Sequence, residues 1–112
     1  MKKTRDDVTV VEGSGNVFAD LGLANAEELL AKAHLASAIS DVIEERGLTQ
    51  ADAARVLGTT QPKVSNLIRG RLEGFSLERL ARFLNTLDRD VEIRVTPRPR
   101  SRRKARLRVT VG

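Results

Sequence analysis

A chain of 112 residues has room for one small core and its tails, but not for two independent cores. It contains no Cys, one His and neither Trp nor Tyr, which excludes disulfides and thiolate metal sites and leaves few groups for catalysis. The net charge of +5 is lopsided: residues 1–95 hold 13 Lys/Arg against 15 Asp/Glu, whereas residues 96–112 hold seven basic residues and no acid, a balance that permits nucleic-acid binding without establishing it.

The first 24 residues mix charges with Gly13, Gly15 and Gly22, and only VTVV at 8–11 is strand-like, so they read as an arm with little structure of its own. Val10, Val11, Val17, Phe18 and Leu21 suit the arm equally to packing on the chain's own core and to docking on a partner. The basic start is followed by no continuous apolar run, so neither a signal peptide nor a membrane span is expected, and the predicted location is cytoplasmic.

Asn25 and Glu28 have the spacing of a capping box, which starts a helix predicted to run to Arg46 and to end at Gly47. Its apolar positions are Leu29, Ala33, Ala36, Ile39 and Ile43. Thr49 and Asp52 repeat the capping signal for a second helix with Ala53, Ala54 and Leu57 on one face, stopped by Gly58. Thr60 caps a third: Pro62 falls in its first turn, where a missing N–H costs nothing, although it also disfavours helical geometry at Gln61. Gly70 closes that helix, and Ser76 caps a fourth that carries Leu77, Leu80, Ala81, Leu84 and Leu87.

Beyond residue 88 the period changes to two. Val91, Ile93 and Val95 alternate with Glu92 and Arg94, a strand signature. A lone strand leaves its backbone unsatisfied, so this one must pair with VTVV at 8–11, with LRVTV at 107–111, or with a second copy of the chain in a dimer. The following segment PRPRSRRKARLR is a low-complexity basic run, predicted to be disordered when free.

The third helix carries the functional signal. At 100° per residue Val64, Leu67 and Ile68 share a sector and are predicted to be buried, while Pro62, Asn66 and Arg69 lie opposite with Lys63 and Ser65 flanking. Gln61 lies near the edge of that outer face but can project forward from the helix N-terminus. Amides, hydroxyls and cations are the groups that read base edges and phosphates in a major groove. A polar outer face alone is more often merely solvated; what favours recognition is the frame of two capped helices joined by a Gly turn, LTQADAARVLGTTQPKVSNLIRG at 48–70.

That frame resembles the phage-repressor-like, or xenobiotic response element (XRE), helix-turn-helix family at Thr49, Gln50, Ala54, Leu57, Gly58, Gln61, Val64, Ser65, Leu67 and Gly70. The stretch GRLEGFSLERLARFLNTLDRDVEIRV is similar to the HigA-type antitoxins of toxin–antitoxin pairs, in which a strand rather than further helices follows. The resemblance implies a mainly α fold, a compact four-to-five-helix lambda-repressor-like helix-turn-helix domain over residues 25–96 that ends in a short β-strand, with an arm before it and a basic tail at 97–112. It also implies a homodimer on palindromic operator DNA that represses its own operon, with a ribonuclease-type toxin as partner. A stand-alone repressor and a toxin-neutralising module with little specific DNA binding are the alternatives.

Carried over by position, Gln61 and Asn66 read bases, Gln50 meets a phosphate and can brace Gln61, and Arg69 anchors the backbone. Pro62 departs from the family's hydrogen-bonding residue and leaves only an apolar contact, as with a thymine methyl. The expected base-reading set is thus Gln61, Pro62, Ser65 and Asn66, and the phosphate set Gln50, Thr60, Lys63, Arg69 and Arg71; Lys63 and Ser65 suit either partner. Val91, Ile93 and Val95 form the expected dimer strand. No cofactor or metal is expected, since His34 has no second ligand in sequence reach. Asp41, Glu44 and Glu45 lie on the first helix without a nucleophile or base beside them, so no enzymatic activity is expected.

Overall fold

A computed structural model of the chain describes residues 26–112. The arm at 1–24, the VTVV segment and the Asn25 cap lie outside the described residues. Four helices follow in order among those described: α1 (Ala26–Glu45), α2 (Gln50–Leu57), α3 (Gln61–Ile68) and α4 (Leu77–Thr86). Residues Lys32–Val91 form one compact unit that contains nearly all of this helical structure.

Each turn between helices is written in local sequence. The Thr49 hydroxyl accepts from the Asp52 N–H at 3.0 Å, and the Asp52 carboxylate accepts from the Thr49 N–H at 3.3 Å, which satisfies two of the donors that open α2. Arg55 donates to the same carboxylate. Thr60 and Ser76 cap α3 and α4 by accepting from the Lys63 and Arg79 N–H groups. At the other ends Gly58 (φ 71°) and Gly70 (φ 81°) take the left-handed conformation that lets the chain fold back on the last turn. After α4 the same position is held by Asp88, a non-glycine at φ 64°.

Apolar side chains from all four helices and the α3–α4 connection supply the core of this unit. Ile39, Leu80 and Leu87 are wholly enclosed, and Val64 and Leu67 are nearly so. Ala53 and Ala54 are buried on α2, which packs against α3 and α4; two methyl groups in place of longer side chains let helices approach closely. The Phe75 and Phe83 rings meet edge to face with centroids 6.1 Å apart. At the far end Arg46 donates to the Leu87 carbonyl at 2.7 Å and Arg89 to Glu45 at 3.1 Å, tying the exits of α1 and α4 together.

Four expectations need correction. Ile68 is 40 % exposed rather than buried with Val64 and Leu67: it lies roughly 70° from the centre of their sector, and an eight-residue helix buries only a narrow stripe. Phe83, absent from the expected stripe of α4, is buried, whereas Leu77 and Ala81 are half-exposed. In α1, Ala36, Ile39 and Ile43 are buried as expected and are joined by Ala31, Leu35 and Val42, whereas Leu29 and Ala33 are half-exposed. The segment Val91–Val95 joins no β-ladder among the described residues, with Ile93 82 % and Val95 53 % exposed.

A second unit comprises the described residues 26–31 and 92–112. In it the main-chain N–H of Leu107 donates to the Glu27 carboxylate at 3.0 Å, and Arg106, Leu107, Arg108 and Val109 are half-buried.

Candidate nucleic-acid interface

The residues that could meet DNA gather around one short helix. Val64 and Leu67 fasten α3 to the core, which turns Gln61, Pro62, Lys63, Asn66 and Arg69 outward; all five are exposed, and Ser65 is half-buried at the edge. Thr60, exposed, caps the start of α3, and exposed Arg71 follows its end. Gln50, half-buried, opens α2, and the three turn residues 58–60 separate the end of α2 from α3, which begins with Gln61. No hydrogen bond joins Gln50 to Gln61 among the described residues.

The electrostatics of this face are simple. Residues 59–71 contain no acid, and among the described residues Lys63, Arg69 and Arg71 enter no ion pair. By contrast Arg55, Arg82 and Arg89 are matched with Asp52, Glu78 and Glu45. The first-turn N–H groups of α3 add partial positive charge at its outward end. The Asp52 carboxyl lies below the ordinary carboxylate range, held there first by its hydrogen bonding with Thr49 and then by Arg55. It is therefore ionised and occupied with capping α2.

Geometrically the motif is a pair of eight-residue helices joined by Gly58, Thr59 and Thr60, the second of which presents a polar, cation-bearing face. Such a helix is narrow enough to enter a major groove, where side chains reach base edges and phosphates. Comparison with known proteins decides the family. The family model described as a helix-turn-helix domain matches residues 17–96. The chain belongs to the XRE-type helix-turn-helix family. A solved structure provisionally named an XRE family transcriptional regulator is 51 % identical, with a TM-score of 0.74, over 79 % of this chain and 99 % of that one. No curated protein matches.

As a member of this family the protein is a DNA-binding regulator, not an enzyme. Among the described residues no helix is long and apolar enough to cross a membrane. No group of three potential metal ligands occurs among them, and His34 Nε2 is enclosed without a hydrogen-bond partner there. The face contains one apolar side chain that periodicity assigned to the core, Ile68; its position at the sector's edge was the available signal.

Proposed function

We propose that the protein is a dimeric, sequence-specific repressor that inserts α3 into the major groove of operator DNA. It acts as the antitoxin of a toxin–antitoxin pair, controls its own operon and neutralises a ribonuclease-type toxin, and it works in the cytoplasm at the nucleoid. The observation that carries the DNA reading is the outward face of α3 and its exit, where three cations that enter no ion pair among the described residues stand with two amides and no acid within residues 59–71. Gln61 and Asn66 suit adenine edges bidentately, Pro62 a thymine methyl, and Ser65 either a base or a phosphate. Gln50, Thr60, Lys63, Arg69 and Arg71 set the register through phosphates. Two copies place their α3 helices roughly 34 Å apart, one turn of DNA, on half-sites related by a two-fold axis.

The antitoxin role rests on the resemblance to HigA-type chains, in which a strand rather than further helices follows the last helix; here the alternating sequence Val91–Val95 follows α4. The decisive experiment compares wild type with Gln61→Ala/Asn66→Ala on the duplex upstream of the gene and on a scrambled duplex at equal salt, read by fluorescence anisotropy. The wild type is expected to prefer its own upstream DNA and the double variant to lose that preference. Equal binding of both proteins to both duplexes would remove the repressor reading and leave the protein-neutralising module.

A further inference from the structure

We infer that residues Val91–Val95 bind the same segment of a second copy as an antiparallel strand in one register, centred on Ile93. This deepens the dimer proposed above and rests on it. In that register Val91 faces the partner's Val95, Ile93 faces the partner's Ile93, and Glu92 faces the partner's Arg94, with each pair repeated by the two-fold axis.

One observation and three arguments from strand geometry lead there. Among the described residues the segment joins no β-ladder, Val91 is half-buried and residues 92–95 are exposed, with the aliphatic side chains of Ile93 and Val95 in solvent. Directly opposed residues in a sheet share a face, so a slip of one residue would set aliphatic positions against charged ones. A slip of two towards the N-terminus would oppose Glu92 to its own copy, and a slip of two the other way would oppose Arg94 to its own copy. Only the register centred on Ile93 matches Val–Val, Ile–Ile and two Glu–Arg pairs together. Parallel in-register pairing fails on the same ground, since it stacks Glu92 on Glu92 and Arg94 on Arg94.

Of the competing partners within the chain, VTVV at 8–11 lies outside the described residues, and LRVTV at 107–111 has contacts of its own: the Leu107 N–H is held by Glu27, and Leu107, Arg108 and Val109 are half-buried. The paired ribbon would have one face of six aliphatic side chains and one of matched charges. Pro97, two residues past Val95, cannot donate to a ladder and limits its length.

The test is a charge swap read by sedimentation equilibrium of the full chain over a range of concentrations. Glu92 and Arg94 are exposed, so Glu92→Arg and Arg94→Glu leave the helical core alone, and unchanged helical circular dichroism checks this. Each single variant makes both symmetry-related pairs repulsive and should weaken dimerisation about tenfold; the double swap Glu92→Arg/Arg94→Glu restores opposite charges and should recover wild-type association. In parallel pairing the double swap only exchanges one like-charge stack for another and rescues nothing. A dimer indifferent to all three variants overturns the register and leaves the dimer standing. A wild type that is monomeric at every concentration overturns both, and returns the segment to a partner within the chain or to a different protein.

Discussion

At the scale of single residues, Asp88 departs from the pattern set by Gly58 and Gly70. All three take the left-handed conformation just after a helix, but only Asp88 has a Cβ there. The bonds around it repeat the glycine exits, with Asp88 N–H donating to the Asn85 carbonyl and Arg89 N–H to the Leu84 carbonyl. Asp tolerates this backbone because its short polar side chain can compensate locally, whereas a β-branched residue cannot. Asp88→Asn is therefore expected to be nearly neutral and Asp88→Val to cost about 1–2 kcal/mol, read as urea midpoints. The 3.9 Å contact between Asp88 and Arg46 is too exposed to reverse that order. Asp52 gives a pH-dependent counterpart. Its pKa is lowered in the folded chain, so its contribution is fully present above the unfolded value and disappears as pH falls through the folded one. Asp52→Asn should flatten the acid limb of stability below about pH 4, while leaving the slope near neutrality unchanged.

At the scale of elements, the caps decide which short helices exist. An eight-residue helix is marginal by itself, so α2 and α3 depend on their ends and on packing. Thr60→Ala should cost about 1 kcal/mol, and Thr60→Asp should keep the cap yet weaken DNA binding, because it places an acid on a face that has none. Thermal melts and anisotropy together separate these effects. Much of this level was legible in the sequence. Thr49 with Asp52, Thr60 with Pro62, Ser76, Gly58 and Gly70 each encode a local bond, and the helices begin and end where those bonds require. Ile68 and Phe83 were misjudged because burial at the edge of a stripe depends on which neighbour covers it, and a helical wheel contains no neighbours. The polar face of α3 was legible in composition, and so were the local pairs Asp52–Arg55 and Glu78–Arg82; that Arg89 meets Glu45, 44 residues away, while Lys63, Arg69 and Arg71 meet no acid among the described residues, is tertiary information.

At the scale of the molecule, the charge asymmetry makes a quantitative demand on the proposed DNA complex. The helical unit offers Lys63, Arg69 and Arg71, which enter no ion pair among the described residues, and the tail offers exposed Arg98, Arg100, Arg103 and Lys104. If α3 alone meets DNA, the dependence of log affinity on log salt reflects only the few phosphates it neutralises. If the tail also tracks the backbone, each extra contact steepens the slope by about 0.9, without altering preference among sequences. The tail's Arg-rich, acid-free composition favours the second case, since guanidinium groups match phosphate geometry. Replacing Arg98, Arg100, Arg103 and Lys104 by Gln should therefore flatten the slope by several units while the ratio of operator to scrambled binding stays the same. Gln61→Ala/Asn66→Ala should do the reverse, collapsing the ratio and leaving the slope nearly intact. Opposite responses of the two variants in one salt titration would assign sequence reading to α3 and non-specific affinity to the tail. An unchanged slope in the tail variant would confine DNA contact to the helical unit.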